Sequence, residues 1–251
     1  MTDLDAFWPP SVAIAPRRAG SARNRDAQRH KALSRDEIVQ AAVALADSEG
    51  AGAVNMRRIA KDLGVGAMSL YWHVTDKEQL LDLMLDAVEG ESASVEVNSD
   101  WREDLERIAR LKRQMLLRHP WVVDFMSGRP PYGPNALLHI ERTLSVFDAL
   151  DVDTRTALQI LTTIDAYVTG SVLNQLRETR VEQAQIHPGL SNAEVAAGMK
   201  AWRDRLDRSG MFHRVLRVFD EGIDPDAAET RDQRFEFGLD CVLNGVTARI
   251  P

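Results

Sequence analysis

The sequence predicts an all-α protein of two domains, a small N-terminal module of three helices with a connecting helix and a larger helical C-terminal domain. Three observations carry this prediction. From Ser34 onward, apolar residues recur at three- and four-residue spacing, and no stretch shows strand-like alternation. Helix-capping signatures precede several of those periodic runs, among them Ser34-Arg35-Asp36-Glu37 and Ser191-Asn192-Ala193-Glu194. Residues 90–99 are small, polar and acidic, as a junction between domains is.

The elements follow in order. Residues 1–33 have no sustained period and are rich in Arg, Ala, Ser and Pro, which reads as a disordered basic arm. In Ser34–Glu37 a hydroxyl at the N-cap and a carboxylate three residues on open a helix lined by Ile38, Ala41, Ala42 and Leu45, which Gly50 ends. Asn55 caps a second helix carrying Ile59, Ala60 and Leu63, and a third runs over about Ala67–Trp72. Thr75-Asp76-Lys77-Glu78 is a further capping box, opening a longer helix with Leu80, Leu81, Leu83, Met84, Leu85 and Val88. The head with this connecting helix spans 34–91, and the C-terminal domain 100–251.

Asp100 caps a helix ending at His119, before Pro120, and a short helix around Trp121–Met126 follows. The Pro- and Gly-rich loop 127–133 leads to Pro134, which suits a first helical position. That helix carries Leu137, Leu138, Ile140, Leu144, Phe147 and Leu150. Asp153 begins a long helix with Leu158, Leu161, Ile164, Val168, Val172 and Leu176; residues 178–190 lack a strong pattern. Ser191–Glu194 caps a helix with Val195, Met199, Trp202 and Leu206, and a last one runs from about Asp232 to near Ala248.

Composition narrows the function classes. The 251 residues are 44% hydrophobic and 27% charged, ordinary for a soluble globular chain. No apolar run has the length of a membrane span, and the acids and Pro9-Pro10 of the N-terminus do not make a signal peptide. Cys241 is the single cysteine, so no internal disulfide forms; a reducing, cytoplasmic setting is expected, with Cys241 a small buried helix residue. There is no GxxxxGK[ST], GxSxG or HExxH, and a GxGxxG match at Gly64 fails at Ser69. The six histidines are scattered without metal-ligand spacing. No catalytic residue, metal or cofactor is expected.

The run from Ile59 to Lys77 is the most specific. Ala60, then Gly64, then Leu70 is helix-turn-helix spacing: a small residue where two helices cross, a glycine for the positive φ of the turn, and an apolar plug pinning the second helix. Ser69, Tyr71, Trp72 and His73 then face outward, where phosphate oxygens and base edges suit them. Net charge of −7 opposes nucleic acid at first sight, and residues 34–91 hold five basic groups against eleven acidic. DNA affinity must therefore rest on Arg57, Arg58, Lys61 and Lys77, helped by the arm, where six basic residues face three acidic ones.

The run Leu70-Tyr71-Trp72-His73-Val74, with Lys77 and Leu80-Leu81, resembles the tetracycline-repressor-type (TetR) family of bacterial transcription regulators. The likeness is strong from Ser34 to about Glu91. Beyond it, Arg118–Trp121, Arg129–Asn135 and Phe235–Asp240 resemble the regulatory domain of that family's tetracycline-repressor-like branch. The resemblance implies that Arg57 reaches a base or phosphate, and that Ala67, Met68 and Ser69 point into the major groove. It implies that Tyr71, Trp72 and His73 meet backbone or groove wall, and that Lys77 meets a phosphate at a helix N-terminus. One departure concerns Ala67, where the fullest family match has an amide-bearing residue. Ala67 and Met68 offer only apolar contact, so the operator should differ.

The stripe Phe235, Leu239, Val242, Leu243 and Val246, with Gly238 and Gly245, has a counterpart on the helix bearing Val168 and Val172. Ordinary core packing and a two-fold four-helix bundle both account for it, and the resemblance favours the bundle, with Val168, Val172, Phe235, Leu239, Val242 and Val246 at a dimer interface. For an effector pocket the candidates are Trp121, Phe125, His139, Tyr167, Asn174 and Trp202, drawn from a wider set with Trp101, Met126 and Phe147. The family's magnesium–tetracycline ligands do not carry over, since those positions do not align. The expectation is a homodimeric repressor of a palindromic double-stranded operator, released by an unidentified small-molecule effector. An activator or ligand-independent regulator, a small-molecule-sequestering protein with a vestigial head, and an enzyme remain alternatives.

Overall fold

The computed structural model describes residues 33–92, 97–98, 100–125, 133–184 and 191–250. The expected arm, apart from Leu33, lies outside them, as do Met126 and most of the 127–133 loop. Among the described residues every regular element is helical. The α-helices are α1 (Arg35–Glu49), α2 (Met56–Asp62), α3 (Ala67–Leu70), α4 (Lys77–Ser92), α5 (Trp101–Arg118), α6 (Pro134–Ser145), α7 (Thr154–Gln183), α8 (Asn192–Ser209), α9 (His213–Asp220) and α10 (Arg231–Thr247). The chain falls into two compact units, one to Asp165 with the last three residues, the other Ala166–Ala248; α7 runs through the division.

The first unit is built on local signals that act as read. Ser34 Oγ accepts from the Glu37 backbone N–H while Glu37 reaches back to the Ser34 N–H at 3.0 Å. Asn55 Oδ1 caps α2 through the Arg58 N–H at 2.9 Å. Asp100 Oδ1 accepts from Arg102 and Glu103 at the start of α5, and Pro134 is the first residue of α6. Ile38, Ile59, Leu70, Leu80 and Met84 are fully buried and tie α1 to α4 together.

Several expectations are corrected. The box at Thr75–Glu78 is displaced by one residue: Asp76 Oδ1 accepts from the Gln79 N–H at 2.8 Å, and Gln79 Oε1 accepts from the Thr75 N–H at 2.7 Å. Asp76 caps as well as Thr75 does, and Gln79 answers where Glu78 was expected. Residues Pro120–Asp124 form a 3₁₀ turn, shorter than the expected helix. Helix α6 stops at Ser145, short of Leu150, and Leu137 and Leu138 face solvent while Ala136 and Thr143 face inward.

In the second unit α7 continues to Gln183, through residues that show no apolar period. The reason is Glu178: the inward residue of that turn is a carboxylate, 5% exposed, bound by Arg231 at 3.0 Å and Arg234 at 2.9 Å. Those two guanidiniums, Arg234 foremost, hold the Glu178 carboxyl below its ordinary range against the opposing effect of burial. Helix α8 begins with the expected capping box at Ser191 and Glu194 and ends at Gly210 with φ of 65°. Helix α9, which the sequence reading leaves out, follows directly and packs on α8 through an edge-on Trp202–Phe219 pair. Cys241 is exposed, against expectation, because it lies on the side of α10 opposite the buried Leu239 and Leu243.

Candidate nucleic-acid interface

The head sets a short run of exposed side chains on a buried apolar core. Gly64 takes φ of 69°, a conformation costly for any residue with a Cβ, and the Val65 N–H returns to the Ala60 carbonyl at 2.9 Å. Ala60 is 3% exposed, which lets α2 and the following segment approach closely. Leu70, with no exposed surface, plugs α3 onto the core, and Val74 does the same after the turn.

The reading segment is shorter than expected. Helix α3 spans only Ala67–Leu70, and Tyr71–His73 form a turn after which the His73 and Val74 amides return to the Leu70 carbonyl, each at 2.9 Å. Gly66, the N-cap, offers no side chain to the α3 amides, and the Ser69 N–H returns to the Gly66 carbonyl at 2.9 Å. Arg57, Met68, Ser69, Tyr71, Trp72, His73 and Lys77 are all exposed, and Ala67 is partly so. Trp72 is 87% and Met68 73% exposed, which leaves two large apolar groups in water, and Lys77 follows in the chain at the start of α4. These residues share one run of the sequence, from Arg57 to Lys77, and lie at the surface of the head.

Arg58 behaves differently from Arg57. Its guanidinium is held by Glu49 at 2.7 Å and by Asp62 at 3.1 Å, and both carboxylates raise its already high pKa. A phosphate would have to compete with two carboxylates for it, so it is a poor source of DNA affinity.

Behind the head, α4 is gripped at several points. Asp86, 8% exposed, accepts from the backbone amides of Asn135 and Ala136, each at 3.0 Å, at the N-terminus of α6. Burial raises the Asp86 carboxyl above its ordinary value, and the two amides work against that rise. A Cβ at Gly133 would overlap this carboxylate, lying 2.6 Å from Asp86 Cβ, so only glycine fits there. Lys112 on α5 pairs with Glu89 on α4 at 2.9 Å. His119, 3% exposed, lies between Asp47 of α1 at 2.7 Å and Glu91 of α4 at 3.2 Å.

The candidate pocket residues are placed as follows. Trp121 is 4% exposed and its indole N–H donates to Asp47 at 2.7 Å, so its polar atom serves α1. Phe125 and His139 are half-buried in the first unit. In the second unit, Tyr167 donates to the Phe235 carbonyl at 2.6 Å, Asn174 is exposed, and Trp202 is 40% exposed beside Phe219. Of the candidate interface residues, Val168, Val172, Phe235, Leu239 and Val246 are covered by the chain's own atoms and Val242 is half-buried. Burial within one chain leaves those five no surface to offer a second copy. The outward face of α10 carries Phe237, 73% exposed, with Cys241 and Gly245 at four-residue steps. Sequence reasoning missed Phe237; its spacing to Cys241 and Gly245 marks a second stripe, hidden by the stronger one beside it.

Comparison with known proteins agrees in both halves. Residues 38–84 match the family profile described as bacterial regulatory proteins, tetR family, and residues 96–250 match the profile described as tetracyclin repressor-like, C-terminal domain. The HTH-type transcriptional repressor DrrR1 of Streptomyces coeruleorubidus is 33% identical over 216 residues, covering 85% of this chain and 77% of that protein. The class A tetracycline repressor from transposon 1721 of Escherichia coli is 29% identical, over 86% of this chain and 92% of its own. The structure of the Streptomyces coelicolor TetR family protein ActR in complex with actinorhodin superposes with a TM-score of 0.68 at 28% identity, over 87% of this chain and 97% of that one.

Proposed function

This chain belongs to the TetR family of bacterial regulatory proteins and is a DNA-binding regulator of transcription, and from that premise we propose a homodimeric repressor that holds a palindromic operator and lets it go when a small molecule binds its C-terminal domain. The observation that carries the reading is the exposure of Met68, Tyr71, Trp72 and Lys77 on a head whose Ile38, Ile59, Leu70 and Leu80 are fully buried. Large apolar side chains left in water in the same short run as an exposed cation fit a groove wall and its phosphates. The short α3 reads few base pairs, so specificity requires two heads on a two-fold axis.

Release needs an element that both sites bias, and α4 has the right connections. It begins with Lys77 at the reading surface and is tied through Asp86, Glu89 and Glu91 to α6, α5 and the α5 terminus. An effector that favours one disposition of α4 lowers operator affinity by the difference in its affinities for the two states. A small molecule is a reasonable effector, since the neighbour of known structure holds actinorhodin.

Selection of bound duplexes from a random pool, followed by footprinting, tests this. The expected product is an inverted repeat with half-site centres roughly 10 bp apart. Failure to retain any duplex, or a protected sequence without two-fold symmetry, overturns the reading.

A further inference from the structure

The corner that ends α5 sets two donors on one carboxylate of the head. Pro120 disfavours helical backbone in the residue before it, so α5 stops at Arg118 and His119 leaves the helix with φ of −119° and ψ of 66°. The His119 N–H still closes on the Met115 carbonyl at 2.9 Å, and the Val122 N–H returns to the His119 carbonyl at 3.0 Å. From this corner the His119 ring and the Trp121 indole, edge-on with centroids 6.2 Å apart, reach the same atom. His119 Nδ1 and Trp121 Nε1 each lie 2.7 Å from Oδ1 of Asp47, near the end of α1. The other ring nitrogen, Nε2, lies 3.2 Å from Oε1 of Glu91, near the end of α4. The second oxygen of Glu91 accepts from Arg118 at 2.6 Å.

The ring is enclosed, and its two partners sit at the margin of the core, with the side chains of Asp47 and Glu91 30% and 37% exposed. Stability alone does not call for this arrangement, because apolar groups of the same shape would serve nearly as well as buried hydrogen-bonding partners. What the polar contacts add is direction. Apolar contact is non-directional, whereas a hydrogen bond holds both a distance and an angle. The ties through Asp86 and Glu89 hold α4. The Asp47 contact is different, since it reaches α1, a helix of the head itself. Helix α1 packs on α2, and α2 on α3, so a hold on α1 is a hold on the reading segment.

We infer that His119 is a positioning residue for DNA binding: its ring joins α1 to α4 at the α5 corner and so fixes the attitude of the head on the connecting helix. The inference rests on the reading of the chain as an operator-binding repressor. Being 3% exposed, His119 has no surface to offer a duplex, and it acts through Asp47 and Glu91. A head free to swing holds its operator-competent attitude for only a fraction of the time. The apparent dissociation constant then rises by the inverse of that fraction.

Fluorescence anisotropy of the full chain on the duplex that wild type selects tests the inference, with His119→Ala, Glu91→Ala, the double variant and Glu91→Gln. Circular dichroism sets a temperature at which every chain is folded. His119→Ala and Glu91→Ala should each weaken binding about fivefold or more, the low end of the range for coupling between sites. The double variant should bind no worse than the more affected single one, because both substitutions remove one strut. Glu91→Gln should bind at least as tightly as wild type, since an amide keeps a hydrogen bond to the ring. The sign separates position from charge: loss of an acidic group by itself favours DNA, and Glu91→Gln loses the same charge as Glu91→Ala. Should His119→Ala not fold, the two Glu91 variants carry the test, because that side chain is partly exposed and its removal leaves the core intact. Affinity equal to or above wild type in either alanine variant, a loss in Glu91→Gln as large as in Glu91→Ala, or additive losses in the double variant overturns the inference and leaves the proposed function standing. A wild type that retains no duplex overturns the proposed function and the inference with it.

Discussion

Gly238 of α10 lies directly under the ring of Tyr167 on α7: a Cβ at Gly238 would come within 2.6 Å of Tyr167 Cε2 and 2.7 Å of Cζ, and would overlap the hydroxyl. The ring has little room to give way. Its hydroxyl donates to the Phe235 carbonyl at 2.6 Å, and its face is stacked on Phe235 with centroids 5.7 Å apart. Gly238→Ala would gain about 1 kcal/mol of helix propensity, but forced overpacking costs typically about 1–3 kcal/mol. The net expectation is a lower melting temperature. Tyr167→Ala should remove most of the added penalty in the double mutant, a non-additivity that thermal denaturation of all four chains would measure. A Gly238→Ala chain as stable as wild type would show that α7 and α10 are free to part.

At the reading surface, Tyr71→Ala and Lys77→Ala should weaken operator binding while leaving the melting temperature within the range of ordinary surface changes, about 0.5 kcal/mol. Arg57→Ala should do the same. Arg58→Ala should affect binding least of these, because Glu49 and Asp62 already hold its guanidinium. Fluorescence anisotropy on the selected duplex ranks the four. An Arg58 variant that loses more affinity than Arg57 would reverse the assignment of the two arginines.

Glu178 gives a pH dependence with a definite sign. Its carboxyl is held below the ordinary 4.5 by Arg234 and Arg231. A depressed carboxyl stabilises the fold above its unfolded value, and that stability is lost as pH falls through the folded value. Glu178→Gln should therefore be less stable near neutral pH by about 2 kcal/mol, below the full cost of breaking a buried pair because Arg234 is partly exposed. The gap should narrow as pH falls below 4.5. Urea denaturation at neutral and acid pH measures both. A gap that stays constant into acid would mean that Glu178 acts by packing and not by charge.

The same residue explains what the sequence conceals. The head is legible because each of its signals is local: Ser34 caps with Glu37, Gly64 takes the positive φ, Leu70 plugs the core. Family resemblance adds the DNA-contact roles proposed for Tyr71, Trp72 and Lys77. The end of α7 is not legible, because an apolar period cannot register a turn whose inward residue is Glu178, satisfied by arginines about fifty residues away in sequence. The Asp76–Gln79 cap lies one residue from its expected place because two cap-forming residues adjoin, and only the geometry decides between them. Lys112 gave no signal either, since a lysine on a helix reads as solvated surface until Glu89 and Asp165 come beside it from other helices.

Oligomeric state turns on the two stripes of α10. Phe235, Leu239, Leu243 and Val246 face inward and are covered, while Phe237 stands 73% exposed with Cys241 and Gly245 on its own line. A phenylalanine left in water forgoes about 2 kcal/mol that burial would return, and two copies on a dyad would each bury one. We therefore predict that the outward stripe, and not the inward one, meets a second chain, with the 48% exposed Leu173 on α7 as a further apolar group. Two substitutions separate the stripes. Phe237→Asp places a carboxylate where the partner would pack and should yield a folded monomer, since the site is solvated once the partner leaves. Leu239→Asp buries a charge inside the chain itself and should unfold it. Light scattering with circular dichroism on both variants decides: a wild-type monomer removes the two-headed reader, and a Phe237→Asp chain that remains a dimer moves the interface off α10.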